Sequence, residues 1–197
     1  THVHVWDLNH YRLPWLDGEG PALKRTWAPS DYAADQVAGH GYHVEQAVYI
    51  EVDMAPEERP RENELACQMV SDPGCIYGGA CISGDMTTPE FDAYITEWGT
   101  KPQIKGVRQV LHVPSARPGT CLEPQFLANV RRLGELGLVF EGCLRCPELG
   151  DLVTVAKECP NTTIILNHMG IVDADIMGEA NPSEEEHAYQ DAWKRNM

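Results

Sequence analysis

A chain of 197 residues, 43% hydrophobic and 23% charged, can bury one sizeable core and is neither disordered nor membrane-like in composition. Its 30 acidic residues against 15 basic ones give a formal net charge of -15, which speaks against a nucleic-acid backbone as partner. No apolar run approaches the ~18 residues of a membrane-spanning helix and no basic, apolar leader opens the chain, so a cytoplasmic location without a membrane partner is expected.

The chain opens with Thr1-His2-Val3-His4-Val5-Trp6, an apolar and β-branched run that predicts a strand. Side chains alternate along a strand, so His2 and His4 fall on one face and offer two imidazole nitrogens to a metal ion. Ordinary strand histidines bonded to backbone would give the same pattern, and ligands from elsewhere must decide between the two. Residues 7–29 read as a Pro-, Gly- and Trp-rich loop, a length that often serves function in compact domains. A helix over 32–39 follows, with Ser30 as its N-cap and His40-Gly41 as its stop. Next come a strand at 43–51, a helix at 56–71 with Pro56 in its first turn, a turn at Asp72-Pro73-Gly74 and a strand at 75–82.

The second half continues the alternation. It predicts a helix at 89–98, a strand at 104–108, a helix at 124–136 broken by Gly137 and a strand at 138–141. A helix at 147–159, a strand at 162–168 and a last helix at 184–197 complete it; Glu184, Glu185 and Glu186 suit the positive end of that helix's dipole. Strand and helix alternating at this spacing imply βαβ units and a parallel sheet, and six such units curl toward a (β/α)8 barrel. The expected fold is therefore α/β, one TIM-type barrel domain over residues 1–197 with only about the first six units present. A whole barrel takes about 250 residues and eight strands, so this one is expected to be incomplete at both ends. The other reading is an open six-unit sheet with exposed edges.

Active sites of such barrels lie at the C-terminal ends of the strands. His2 and His4 on strand one, Glu51 on strand two, Arg108 on strand four and His168 on strand six would converge there. Glu51 could bind a metal or a substrate hydroxyl, or simply close its strand end; Glu141 could face the barrel or the helices. Trp6, Trp15 and Tyr49 either wall the pocket or pack the barrel top. His112 is expected in solvent and Arg145 in a pair with Glu148, while His10, His40, His43 and His187 show no spacing that favours catalysis. Seven cysteines, Cys143 and Cys146 among them, fit buried thiols in a reduced compartment.

The motifs also carry a resemblance. His2-Val3-His4-Val5-Trp6-Asp7 with Leu13-Pro14-Trp15-Leu16, then Tyr49-Ile50-Glu51-Val52-Asp53, Lys105-Gly106-Val107-Arg108 and Leu166-Asn167-His168-Met169-Gly170 resemble the amidohydrolase superfamily. Within its amidohydrolase-2 branch they are similar to the lactonase-like group, which includes sugar lactonases and 2-pyrone-4,6-dicarboxylate lactonase. The resemblance implies a barrel of the metal-dependent hydrolase kind, with His2, His4 and His168 around a divalent metal, zinc for preference, or acting without one. It implies catalytic roles for His168 and Arg108, and substrate contacts from Arg108, Glu51, Tyr49 and Trp6. It also implies an Asp at the end of strand eight, which has no counterpart here. The partner implied is a small-molecule substrate, and the rims of such barrels often associate, so a homo-oligomer is a further expectation that no residue specifies. The function expected is opening of a small sugar-derived or dicarboxylate lactone to a hydroxy acid. The alternatives are a non-oxidative decarboxylase of the same branch and a non-catalytic binding protein on a partial barrel.

Overall fold

The computed structural model describes residues 1–37, 41 and 44–197. The predicted helix end at Gly39 and His40, and His43 at the start of the second predicted strand, lie outside the described residues. Two compact units emerge: Thr1–Ser83 with Thr96–Gly106, and Gly84–Ile95 with Val107–Met197.

The first unit holds β1 (His2–Val3), α1 (Pro29–Val37), β2 (Ala47–Ile50), α2 (Arg59–Ser71) and β3 (Tyr77–Ser83). It also takes the last turn of α3 (Phe91–Trp98) and the first residues of β4 (Ile104–Val110). Its strands are parallel and bonded in chain order, with His2 beside Val48 and Ile50 beside Cys81. The helix expected at 32–39 begins instead at Pro29, so Ser30 lies inside it and is not its N-cap. The Asp31 carboxylate takes that role from within, accepting from the Ala28 amide at 2.7 Å.

Helix α2 is stopped by Asp72 and Pro73 and turns Glu62, Asn63, Ala66 and Met69 inward, a spacing that keeps one face toward the strands. Glu62 is fully buried and its Oε1 accepts from the Tyr49 hydroxyl at 3.0 Å and from the Val52 amide at 2.8 Å. Burial, reinforced by the Glu62 carboxylate, pushes the Tyr49 hydroxyl well above its ordinary range, so it remains a donor. Replacing Glu62 by alanine strips the acceptor from two buried donors. At about 1–3 kcal/mol for each orphaned group, we expect roughly 2–5 kcal/mol less stability, read from urea denaturation; a loss under ~1 kcal/mol would contradict this account.

The loop expected over 7–29 is packed. Leu13, Leu16, Val52 and Met54 form a small core against Trp6, Leu8 and Tyr11, around a helical turn at Pro14–Gly18. Trp6 and Trp27 exchange backbone bonds of 2.8 and 2.9 Å. His10 sits 2.8 Å from Asp7, whose carboxyl is held down at about 2, first by the Asn9 amide and then by His10.

The second unit holds most of α3, the end of β4, α4 (Pro124–Glu135), β5 (Val139–Cys143), α5 (Leu149–Glu158), β6 (Ile164–Leu166), α6 (Ala174–Gly178) and α7 (Glu184–Asn196). β5 and β6 are parallel, with Glu141 beside Ile165 and Gly142 beside Leu166. Phe126, Asn129, Val130 and Leu133 are the buried face of α4, and Phe126 meets Phe140 edge-on at 5.6 Å. The helix stops as its glycine predicts: Gly137 takes φ +71, and the Leu138 and Gly137 amides close back on Leu133 and Gly134 at 2.9 and 3.1 Å. The acidic run at 184–186 does open a helix, and Ser183 and Glu186 cap it reciprocally. Two expectations need correction: β6 ends at Leu166 rather than 168, and the short helix α6 was not expected. Among the described residues no helix is long and apolar enough to cross a membrane.

Candidate active site

In the first unit the two histidines meet as the strand pattern requires. Their Nε2 atoms are 2.9 Å apart and the rings are nearly perpendicular, although β1 itself reaches only Val3. The Nδ1 of His4 lies 3.0 Å from both the Ile50 and Glu51 carbonyl oxygens. Carbonyls only accept, so this nitrogen carries the proton and Nε2 is left with its lone pair pointing at His2. Either His2 donates a proton across the gap or a cation fills it. A backbone-anchored Nδ1 that leaves the Nε2 lone pair facing a second imidazole is the arrangement that orients a metal-binding imidazole, and a nitrogen donor set suits zinc. These residues fit a divalent metal.

Glu51 is buried, and its Oε2 accepts from the Asp53 amide at 2.7 Å. That bond holds Asp53 at φ +51 and matches the strand-closing alternative for Glu51. Tyr49 is fully enclosed between β2 and α2, bonded to Glu62. The expected substrate contact from Tyr49 is therefore corrected to packing: its parity on β2 sends the ring to the helix side. Trp6 is half-buried, donating from Nε1 to the Arg25 carbonyl at 2.7 Å and resting edge-on against Trp15.

In the second unit Arg108 and His168 come together. Arg108 is only 5% exposed, and its Nη1 lies 3.4 Å from His168 Nε2. A guanidinium can only donate, so the contact favours a neutral His168 with a lone pair on Nε2. Burial, then the positive charge of Arg108, then His112 lower the His168 pKa, against the opposing charge of Glu141.

His112 is half-buried rather than solvated, with Nδ1 3.4 Å from the Cys143 thiol. Its pKa is lowered chiefly by burial, with Arg108 and Arg145 adding to the effect against a bond to the Cys143 backbone. Both rings are therefore biased to the neutral form. Arg145 is saturated as expected, bonded twice to Glu148 at 2.9 Å and to the Val113 and Ala116 carbonyls. Cys143 and Cys146 are buried, as expected of thiols in the core.

Glu141, whose parity the sequence left open, and Asn167, to which it assigned no role, support the His168 side of the second unit. Glu141 is buried, and its Oε2 accepts from Asn167 Nδ2 at 2.7 Å. Asn167 in turn precedes an unusual turn: His168, Met169, Gly170 and Ile171 have φ of 49, 53, 77 and 48°. Left-handed backbone costs an L-residue about 1–2 kcal/mol, and three of these four have side chains. His168 therefore does not end β6; it is carried past the strand on a strained turn. Gly170 was the single sequence signal for it, and a Cβ there would also strike the Leu149 side chain at 2.6 Å.

Comparison with known proteins gives these residues a context. The family model described as Amidohydrolase matches residues 1–196. A curated relative, the uncharacterized protein y4mH of Sinorhizobium fredii, is 25% identical in an alignment of 185 positions that covers 86% of this chain and 61% of that protein. Amidohydrolase 2 from Bifidobacterium longum subsp. infantis superposes with a TM-score of 0.69 at 30% identity, over 98% of this chain and 66% of its own. An amidohydrolase from Burkholderia multivorans, solved with bound zinc, gives 0.75 at 18% identity over 99% and 63%. Structures of the same fold include a probable 2-pyrone-4,6-dicarboxylic acid hydrolase from Acinetobacter baumannii and a 2,6-dihydroxybenzoate decarboxylase from Rhizobium. The chain thus spans less than two thirds of the length of these first relatives, and its expected α/β fold, carrying six strands of a (β/α)8 barrel, is the fold they share. It belongs to the amidohydrolase family, in the amidohydrolase-2 branch.

Proposed function

We propose that the whole protein hydrolyses a small lactone bearing a carboxylate, opening the cyclic ester to a hydroxy acid. The observation that carries this reading is the buried Arg108 guanidinium 3.4 Å from a His168 ring biased to neutrality. A planar fork in a dry setting is suited to grip a carboxylate through two bonds or to polarise an ester carbonyl. A neutral imidazole beside it can accept a proton or donate its lone pair.

By the family resemblance His2, His4 and His168 would hold a divalent metal, with zinc the candidate. When bound it would supply Lewis-acid polarisation of the lactone carbonyl and a lowered pKa for water. Arg108 orients the substrate, and Trp6 offers an apolar wall. Glu141 and Asn167 hold the backbone from which His168 projects. The likeness to a probable 2-pyrone-4,6-dicarboxylic acid hydrolase supports a dicarboxylate lactone as substrate class. A cytoplasmic location and a homo-oligomeric state remain part of the same proposal.

The likeness to 2,6-dihydroxybenzoate decarboxylase supports a second reading, loss of CO2 from an aromatic acid. The product separates them. Incubation with a panel of carboxylated lactones and aromatic acids is expected to give stoichiometric acid release without CO2; CO2 without ring opening would overturn the lactonase reading.

A further inference from the structure

The turn that carries His168 needs support from outside itself. Four consecutive positive φ values, two of them on Met169 and the β-branched Ile171, persist only where neighbouring groups hold the backbone in place. On the strand side the support is plain. The Asn167 amide donates to the Gly142 carbonyl at 2.9 Å, and the Asn167 side chain is bonded to Glu141.

Within the turn, the Gly170 amide closes on the Asn167 carbonyl at 2.8 Å and the Ile171 amide on the His168 carbonyl at 3.0 Å. The carbonyl of Met169, the residue next to His168, is taken from elsewhere. Trp193, 24 residues further on in α7, donates its indole N–H to that oxygen at 2.8 Å. Helix α7 is itself pinned: Gln190 donates to the Ile176 carbonyl at 2.8 Å, and the Tyr189 hydroxyl accepts from the Asp173 amide at 2.9 Å. The indole therefore ties a fixed helix to the middle of the strained turn.

We infer that Trp193 is a positioning residue for His168, its indole N–H fixing the Met169 peptide so that the His168 ring stays aimed at Arg108. This deepens the proposed reading of the site and rests on it. In this reading Trp193 acts through the turn, by its bond to the Met169 carbonyl, and not as a ligand or substrate contact.

Trp193→Phe keeps an aromatic ring and removes only the donor. In the full protein, with zinc affinity measured by chelator competition, we expect about a tenfold loss for Trp193→Phe, the lower end of what removing an outer-shell partner costs. We expect kcat on the lactone to fall by a similar factor with KM within about twofold, because Arg108 is untouched. The thermal midpoint should stay near that of His187→Ala, an exposed control on the same helix. Zinc affinity and kcat both at the parent level would overturn the inference, as would a loss that merely tracks a lower folded fraction. His168→Ala is run beside it: if that variant weakens zinc binding while Trp193→Phe does not, the inference alone fails. If neither does, the site reading fails and takes the inference with it.

Discussion

Replacement of His168 by alanine is expected to lower lactone turnover by more than about a hundredfold, at least ~2.7 kcal/mol of transition-state stabilisation. Three contributions go at once. The ring lies 3.4 Å from Arg108, it is biased to the neutral form by burial and that charge, and in the proposed reading it is a metal ligand. Removing a group that merely orients a ligand costs about 10- to 100-fold, and the ligand itself should cost more. The position sits at φ +49, where a Cβ is strained and asparagine is better tolerated. His168→Asn therefore serves as the companion variant, because it keeps the turn and loses the imidazole. Equal losses in the two variants, with unchanged thermal midpoints, place the effect in the ring. Turnover within about twofold of the parent, under ~0.5 kcal/mol, would remove His168 from the chemistry.

The second large effect is expected at Arg108. Methionine there keeps much of the volume and deletes the charge, so the loss should fall on substrate binding. A charge-assisted hydrogen-bond contribution of about 1.5–3 kcal/mol corresponds to roughly 10- to 150-fold in KM. The rise should appear for lactones that carry a carboxylate and be small for neutral ones, since only the former need the fork. Lysine should not restore it, because a point charge cannot make two parallel bonds. A uniform rise in KM for charged and neutral substrates alike would mean that Arg108 acts on the site's packing.

Much of this was legible in the residues. The H-x-H spacing put both rings on one face because side chains alternate along extended backbone, but their 2.9 Å approach also needs the Ile50 and Glu51 carbonyls that hold the His4 ring. Gly137 marked a helix end because only a left-handed residue closes that motif cheaply. The strand and helix order followed from apolar runs alternating with amphipathic ones.

What could not be read depends on contacts made far along the chain. Tyr49 looked like a pocket wall, yet its partner is a buried glutamate thirteen residues away on α2. His112 has no neighbour in sequence that announces its burial beside Cys143. The turn at 168–171 is the clearest case: His, Met and Ile carry no signature for positive φ, and what imposes it is the bonding of Asn167, Glu141 and Trp193. A strand drawn through to His168 was the reading local propensity favours, and tertiary bonding overrode it.

Lactone hydrolysis by the whole protein, through imidazole ligands and an arginine grip, is the proposed activity. Its most direct test is acid release from a dicarboxylate lactone by the full-length protein, followed with a pH indicator before and after a metal chelator and again after zinc is restored. Steady acid release that falls on chelation and returns with zinc is the expected result. No acid release from any lactone by zinc-loaded protein, or release of CO2 from an aromatic acid in its place, would contradict it.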